Sequence, residues 1–369
     1  VSGGMEGERE NSAPDGSYER AVIEVVALRS KTISDGAQQV EIYTVRFLSG
    51  PFKDQIKEIS SEVGSNPYGL QPRRGDKIVV FQQLAPDSST NFYIESYDRR
   101  SALFWLVVLF ALVLVVLAGW QGAKVVLSIG ISVTLILYVL IPSFIHGVNP
   151  VPLAIGLGGL FTLISSGLSI GWNKKTYVTA VGTMGGALVA YVISIIFANW
   201  AHLNGLATEQ DRLFFEKNPT LNPKGLLFAG IIIASVGVVE DVAVSIASGV
   251  SEVKRANPRA SFRDLFASGM VIGNDHMGAL ANTLVYAYVG ASLSTLLLYQ
   301  QFGGSWLKFV NFDAVVDEVI RSLAGTIGLV FTVPITALLA AWTMQKRTIQ
   351  QEAAHAHEQA LHGHEHKPK

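Results

Sequence analysis

Apolar and polar positions divide the chain into two parts. Residues 1–100 mix charged and apolar positions as a water-exposed region does, whereas residues 102–344 consist mainly of long apolar runs. These runs are about 20 residues long, the length that an α-helix needs to cross the hydrocarbon core of a bilayer. The pattern predicts a mainly α-helical, polytopic membrane protein with a smaller N-terminal domain outside the bilayer.

About seven transmembrane helices are predicted from these runs, and each is close to the length of one membrane crossing. The sixth is longer than one simple helix needs, so we expect it to be broken or to extend beyond the bilayer. The predicted spans are approximately 102–119, 123–142, 151–171, 177–198, 225–249, 268–299 and 319–344.

Basic residues between the spans predict the orientation. One set of alternate connections carries nine Lys and Arg residues, and the opposing set carries four. Because cytoplasmic loops are enriched in Lys and Arg, the first set is placed inside. We therefore expect a multi-pass protein of the cell (inner) membrane with its C-terminus in the cytoplasm. Its basic connections include Lys124, Lys174, Lys175, Lys254, Arg255, Arg259, Arg263, Lys346 and Arg347.

The N-terminal part predicts a small β domain. Residues 20–97 contain short apolar segments, and residues 39–48 alternate with the period of two that is typical of a strand. We expect a small extracytoplasmic β-barrel of OB type, acting in assembly or gating, with ligand binding as the alternative. The predicted parts are a disordered segment 1–17, the β domain 18–98, a transmembrane domain 99–345 and a cytoplasmic His-rich tail 346–369.

An extracytoplasmic domain has to be exported, yet residues 1–30 show no signal peptide or anchor. The chain also begins with Val1 rather than Met. We therefore expect that the native start has been removed, together with any anchor that preceded it.

Composition narrows the functional classes. The net charge of −1 argues against a nucleic-acid partner, since binding phosphates requires a basic face. The chain has no cysteine, which excludes thiolate catalysis and cysteine-based metal centres. No phosphate-binding Gly-rich motif is present, so any transport is secondary or passive unless a separate ATPase supplies energy.

Acidic residues interrupt two of the predicted spans. Glu240 and Asp241 lie in the fifth span and Asp275 lies in the sixth. A charged side chain at the bilayer centre costs roughly 2.5 to 3.5 kcal/mol on insertion scales, so such residues are usually functional. A structural alternative is that the acids pin two helices together, by sharing a proton or by pairing with His276.

Helical spacing groups these acids with other polar residues. Asp241 and Ser245 are four residues apart, and Asp275 and Asn282 are seven apart, so each pair lies on one helical face. Their oxygen atoms suit a proton or a monovalent or divalent cation, and no other cofactor is evident. The predicted ion- or substrate-binding site between the fifth and sixth spans comprises Glu240, Asp241, Ser245, Asn274, Asp275, His276, Asn282 and Thr283.

Five of the eight histidines lie near the C-terminus. A His-rich tract can bind metal ions loosely, although an ordinary solvated tail is the simpler interpretation. The metal-binding candidates are His355, His357, His362, His364 and His366.

The two acid-bearing motifs carry a family likeness. Residues 237–252 with Asn257-Pro258, and residues 268–284, resemble the YibE/F-like bacterial multi-pass membrane proteins, and the likeness extends over about 20–345. Asn274 stands where that pattern commonly has Arg, which removes a cationic partner for Asp275. The resemblance implies an integral membrane protein often discussed as a transporter or permease, and it supplies no substrate.

The favoured function is therefore secondary transport or a channel-like activity for a small ion or small molecule within the lipid bilayer. A homo-oligomer or a partner membrane subunit is compatible with this function. The first alternative is an assembly or sensor protein that uses its outer β domain. The second is an intramembrane acid- or metal-dependent enzyme, which is disfavoured because no His-Glu-x-x-His or Gly-x-Ser-x-Gly motif is present.

Overall fold

The computed structural model describes two compact units, which divide the chain into Val1–Leu112 and Val113–Lys369. Within them, the described residues are 16–33, 36–62, 70–84, 90–303 and 305–363. The predicted disordered segment 1–17 lies almost entirely outside this part of the chain.

Unit 1 contains a five-stranded antiparallel sheet in the order β3-β2-β1-β4-β5. It curls into a half-barrel, which agrees with the prediction of a small β domain in this region. The central strand β1 pairs with both β2 and β4, so that Ala21 lies opposite Phe47 and Ile78. The strands are β1 (Gly16–Ile33), β2 (Gly36–Phe47), β3 (Ile56–Glu62), β4 (Lys77–Leu84) and β5 (Thr90–Tyr97).

Alternating side chains build the core of this sheet. Tyr43, Val45 and Phe47 are almost fully buried on one face of β2, because successive side chains of a strand point to opposite faces. The Phe47 ring lies 5.2 Å from that of Phe92 and 6.0 Å from that of Phe52. The period-two pattern of residues 39–48 therefore identified this strand correctly.

After residue 99 the described chain is mainly helical, and it includes a short π-helical segment at Ile136–Leu140. The helices are α1 (Arg100–Leu135), α2 (Ile141–Ile145), α3 (Pro150–Ile170), α4 (Lys174–Trp200), α5 (Glu209–Lys217), α6 (Pro223–Ala256), α7 (Phe262–Ala291), α8 (Leu293–Gly303), α9 (Trp306–Val310) and α10 (Asp313–Gly363).

Five helical segments in the described part of the chain are long and apolar enough to cross a membrane, which supports a multi-pass membrane protein. Five is fewer than the seven predicted spans. The first two predicted spans fall within one segment, and α7 is not among the five because its polar residues lower its mean hydropathy. The five segments are Arg100–Ile145, Pro150–Ile170, Lys174–Trp200, Pro223–Ala256 and Asp313–Gln345.

The predicted break in the sixth span is confirmed, since α7 ends at Ala291 and α8 begins at Leu293. A second break lies inside α1 at Gly119, which has φ 57° and ψ −135°. That conformation suits glycine, which lacks a Cβ. The chain turns so sharply there that a Cβ on Gly122 would collide with the backbone of Leu114.

Small residues bring α4 and α10 into close contact in unit 2. A Cβ on Gly182 would collide with Thr336, and one on Gly186 would collide with Thr332. The backbone oxygen of Gly186 would also lie only 2.6 Å from a Cβ on Gly328. Close approach of this kind is typical of small-residue seams between membrane helices. The seam fixes α10 beside α4 and supports the core against which α6 and α7 pack.

Candidate functional site

Helix α6 carries the two adjacent acids of the predicted site. It begins after Asn222, whose side chain accepts a hydrogen bond from the Gly225 amide at 2.9 Å, and Pro223 occupies its first turn. Both features are favourable at a helix start. Because neighbouring helical residues point about 100° apart, Glu240 is half-buried while Asp241 is exposed.

The partners of Glu240 lie on α3. The Ser166 Oγ is 3.3 Å from the Glu240 Oε1, and the Ser165 hydroxyl also hydrogen-bonds to this carboxyl group. Ser166 itself is fully buried, and its hydroxyl donates to the Thr162 carbonyl oxygen one turn earlier. The sequence predicted neither serine as part of the site, although a Ser-Ser pair within an apolar helix was a signal for one.

Among the described residues, no basic side chain forms an ion pair with these two acids. Each ion pair among the described side chains joins other residues, and none includes Glu240 or Asp241. The pairs are Arg46–Glu24, Arg100–Asp98, Lys175–Glu252, Arg255–Glu252 and Arg321–Asp317. The described residues also contain no group of three or more His, Cys, Asp or Glu side chains that could hold a metal ion.

Helix α7 lies alongside α6 and α10. A Cβ on Gly273 would meet Val333 of α10 and, at 2.9 Å, Ile246 of α6, and one on Gly269 would lie 2.8 Å from Ala337. Gly269 and Gly273 are one helical turn apart on the packed face. Helix α7 therefore runs beside the membrane-length part of α10, despite its polar residues.

The predicted site residues of α7 lie on its exposed surface. Where the side chains of the predicted site on α6 and α7 form hydrogen bonds, several bond to backbone oxygens one turn earlier in their own helix. The imidazole Nδ1 of His276 lies 3.0 Å from the Ile272 oxygen, and the Thr283 hydroxyl donates to the Ala279 oxygen at 2.9 Å. On α6, the Ser245 hydroxyl donates to the Asp241 backbone oxygen at 2.8 Å. The α7 residues that are exposed are Asn274, Asp275, His276, Asn282 and Thr283.

No hydrogen bond or ion pair joins the predicted site residues of α6 to those of α7 in the described part of the chain. A shared site between these helices therefore stays a prediction, and the structure instead links Glu240 to α3. The predicted metal-binding histidines near the C-terminus lie outside the described side chains. The side chains of His355, His357 and His362 lie outside the described ones, as do His364 and His366 altogether.

A second charged group was not predicted. Arg321 Nη2 lies 3.2 Å from Asp317 Oδ2 on α10, and Tyr288 of α7 and Glu318 lie beside this pair. The last predicted span begins at residue 319, which places Asp317 in the connection before it. The spacing of four residues between an acid and a base was the available signal.

Comparison with known proteins identifies the family. The sequence pattern of the family described as YibE/F-like protein matches residues 106–346, which include both acid-bearing motifs and most of the helical bundle. No curated protein and no solved structure matches the chain. The family match spans well over half of the sequence, and the chain therefore belongs to the YibE/F-like family.

Proposed function

We propose that this protein is a secondary transporter or channel-like membrane protein that binds a proton or small cation at Glu240 and Asp241. One observation carries the proposal: Glu240 is half-buried in a membrane-length helix and bonds to the hydroxyl groups of α3, with no basic partner among the described side chains. An unpaired charge in that position is costly. A bound proton or cation removes the cost.

The hydroxyl chemistry at Glu240 supports a proton-binding role. Ser166 has one hydroxyl proton, and its shorter hydrogen bond goes to the Thr162 oxygen rather than to Glu240. The lone pairs of Ser166 Oγ then remain available to accept a hydrogen bond from the O–H of a protonated Glu240. Asp241 is exposed one position further along α6, where it can pass a proton or cation to and from Glu240.

We also propose seven membrane crossings in the orientation predicted from the basic connections. The segment Arg100–Ile145 has 46 residues, roughly 70 Å at 1.5 Å per residue, whereas the hydrocarbon core is about 30 Å thick. The sharp turn at Gly119 supports two crossings there, and α7 supplies the sixth crossing. The half-barrel of unit 1 is proposed as an extracytoplasmic OB-like domain, supported by its five-stranded, partly open sheet.

The exposed polar face of α7 supports a homo-oligomer. Asp275 and Asn282 would face lipid in an isolated chain, which is unfavourable. Amide side chains can pair with each other across a helix interface. We therefore propose that a second copy of the chain covers this face.

Cation flux in proteoliposomes tests the proposed function. We expect flux in the wild type to be strongly reduced in Asp241→Asn, with the variant still folded and incorporated. Asp275→Asn tests the contribution of α7, and its loss of flux would extend the site to that helix. Unchanged flux in both variants would contradict the assignment of the site.

A further inference from the structure

A charged cavity lies in unit 2, apart from Glu240 and Asp241. Its volume is about 440 Å³, and three of its thirteen lining residues are charged: Asp211, Asp317 and Arg321. The other ten are apolar residues, glycines or proline, and they include the aromatic rings of Phe144 and Phe215. A pocket with a few polar groups among apolar walls is typical of a site for a small organic ligand.

The charges in this cavity are only partly compensated. Arg321 donates to Asp317 Oδ2 at 3.2 Å, but Asp317 Oδ1 and Arg321 Nε are buried without a hydrogen-bond partner among the described residues. Asp211 adds a second carboxylate, one oxygen of which accepts from Thr208. Two carboxylates therefore face one guanidinium group. An ammonium group would balance the excess negative charge and would form a charge-assisted hydrogen bond with a carboxylate of the cavity.

The aromatic walls also favour a cation. Phe144 and Phe215 both line the charged cavity, and the face of an aromatic ring attracts an ammonium group within about 6 Å. A hydrated inorganic cation would prefer oxygen ligands on all sides. The combination of carboxylates with phenyl rings points instead to an organic ammonium ion.

An apolar cavity adjoins the charged one. Its volume is about 460 Å³, and it shares Phe144, Phe215 and Leu226 with the charged cavity. Its other lining residues include Ile141, Ile145 and Leu221, and no charged residue lines it. The two cavities thus present charge on one side of the shared wall and apolar surface on the other.

We propose that the two cavities form one binding site for a small amphipathic amine. The ammonium group binds Asp317 and Asp211 in the charged cavity, and the aryl or alkyl group occupies the apolar cavity against Phe144. Arg321 holds Asp317 in place through their ion pair. This site is separate from Glu240, and its ligand binding does not depend on the proposed transport function.

Equilibrium binding of radiolabelled phenethylammonium to the full chain in lipid nanodiscs tests this inference. We expect saturable binding that is weakened at least about tenfold in Asp317→Asn, because the ammonium group loses one of its two carboxylate partners. Asp211→Asn, which retains an oxygen that can accept from Thr208, is expected to weaken binding as well. Glu216→Gln on the exposed surface of α5 is the matched control and is expected to bind like the wild type.

Two further measurements test the amphipathic character of the ligand. Neutral 2-phenylethanol should compete much less well than phenethylammonium. Phe144→Ala should weaken the binding of phenethylammonium far more than that of ethylammonium, because the ring of Phe144 lines both cavities. Three results would overturn the inference: no saturable binding to the wild type, equal competition by 2-phenylethanol, or wild-type affinity in Asp211→Asn. The result for Asp211→Asn tests the inference even if Asp317→Asn fails to fold. Amine binding without cation flux would contradict only the proposed transport function.

Discussion

The Ser166 hydroxyl oxygen lies 3.3 Å from the Glu240 carboxylate and links α3 to α6 inside the helical bundle. This contact joins an acid that the sequence singled out to a serine that it did not. Apart from Ser165 and Ser166, α3 presents mainly apolar side chains and small residues here. The hydrogen bonds of these two serines therefore lower the free-energy cost of burying Glu240. The proposed function therefore depends first on this contact between Ser166 and Glu240.

Removing this hydroxyl should impair transport more than folding. In Ser166→Ala, Glu240 keeps its bond from Ser165 but loses one partner, and we expect cation flux to decrease several-fold because a typical hydrogen bond contributes about 0.5 to 1.5 kcal/mol. Flux in proteoliposomes measures this. Ser194→Ala is the control, because that buried hydroxyl donates to the Tyr191 oxygen at 2.7 Å. Equal flux in both variants would remove Ser166 from the site.

The α4–α10 seam predicts a localised packing defect. In Gly186→Val, the new side chain would collide with Thr332 and Gly328, and we expect a loss of about 1 to 3 kcal/mol in the free energy of unfolding, as is typical of overpacking. Gly156→Val on α3 is the matched control, because no atom lies within 4 Å of a Cβ at that position. Unfolding in mixed micelles compares the two. Equal stability would show that the helices are less closely packed than described.

Acid pH should weaken one contact outside the membrane spans. Two side-chain hydrogen bonds from Arg100 to Asp98, at 2.8 and 2.7 Å, lower the pKa of the Asp98 carboxyl to about 2. Because this pKa is lower in the folded state, the contribution to stability is present above about pH 4 and is lost as the pH falls towards 2.

Thermal unfolding of the wild type and of Asp98→Asn at several pH values measures this effect. The advantage of the wild type should be small, since Arg100 is largely exposed and such pairs are screened by solvent. It should decrease as the pH is lowered from about 5 to about 2. An advantage that is the same at both pH values would contradict the assigned cause.

Disulfide crosslinking tests the proposed homo-oligomer. The chain suits this experiment because its 369 residues contain no cysteine. A single cysteine in Asn282→Cys lies on the exposed face of α7, and we expect it to form a crosslinked dimer in membranes under oxidising conditions. Leu188→Cys on α4 is similarly exposed, at 41%, and should not crosslink. Crosslinking of Leu188→Cys alone would place the interface elsewhere.

The sequence predicted the elements of the fold better than their contacts. The alternation of residues 39–48 identified β2, and the apolar runs located α3, α4, α6 and α10, because periodicity and length depend on local sequence. The predicted boundary between two spans near residue 120 coincides with the interruption of α1 at Gly119, and the two crossings themselves stay a prediction. These features need no knowledge of which helices are neighbours.

Contacts between helices were harder to predict. Helical spacing placed Asp275 and Asn282 on one face of α7, but it could not show which neighbour that face contacts. Both residues are exposed. The partner of Glu240 lies 74 residues away, on α3. The charged cavity needs residues from α5, α6 and α10 together, and no spacing within one helix reveals such a combination.

The most direct measurement of the central claim is the cation-dependent current of the protein reconstituted on a solid-supported membrane. Glu240→Gln keeps the size of the side chain and its ability to hydrogen-bond to Ser166 but removes the charge and the titratable proton. Glu216→Gln makes the same change on the exposed surface of α5. We predict that the current is abolished in Glu240→Gln and retained in Glu216→Gln. A wild-type current in Glu240→Gln would contradict the proposed role of Glu240.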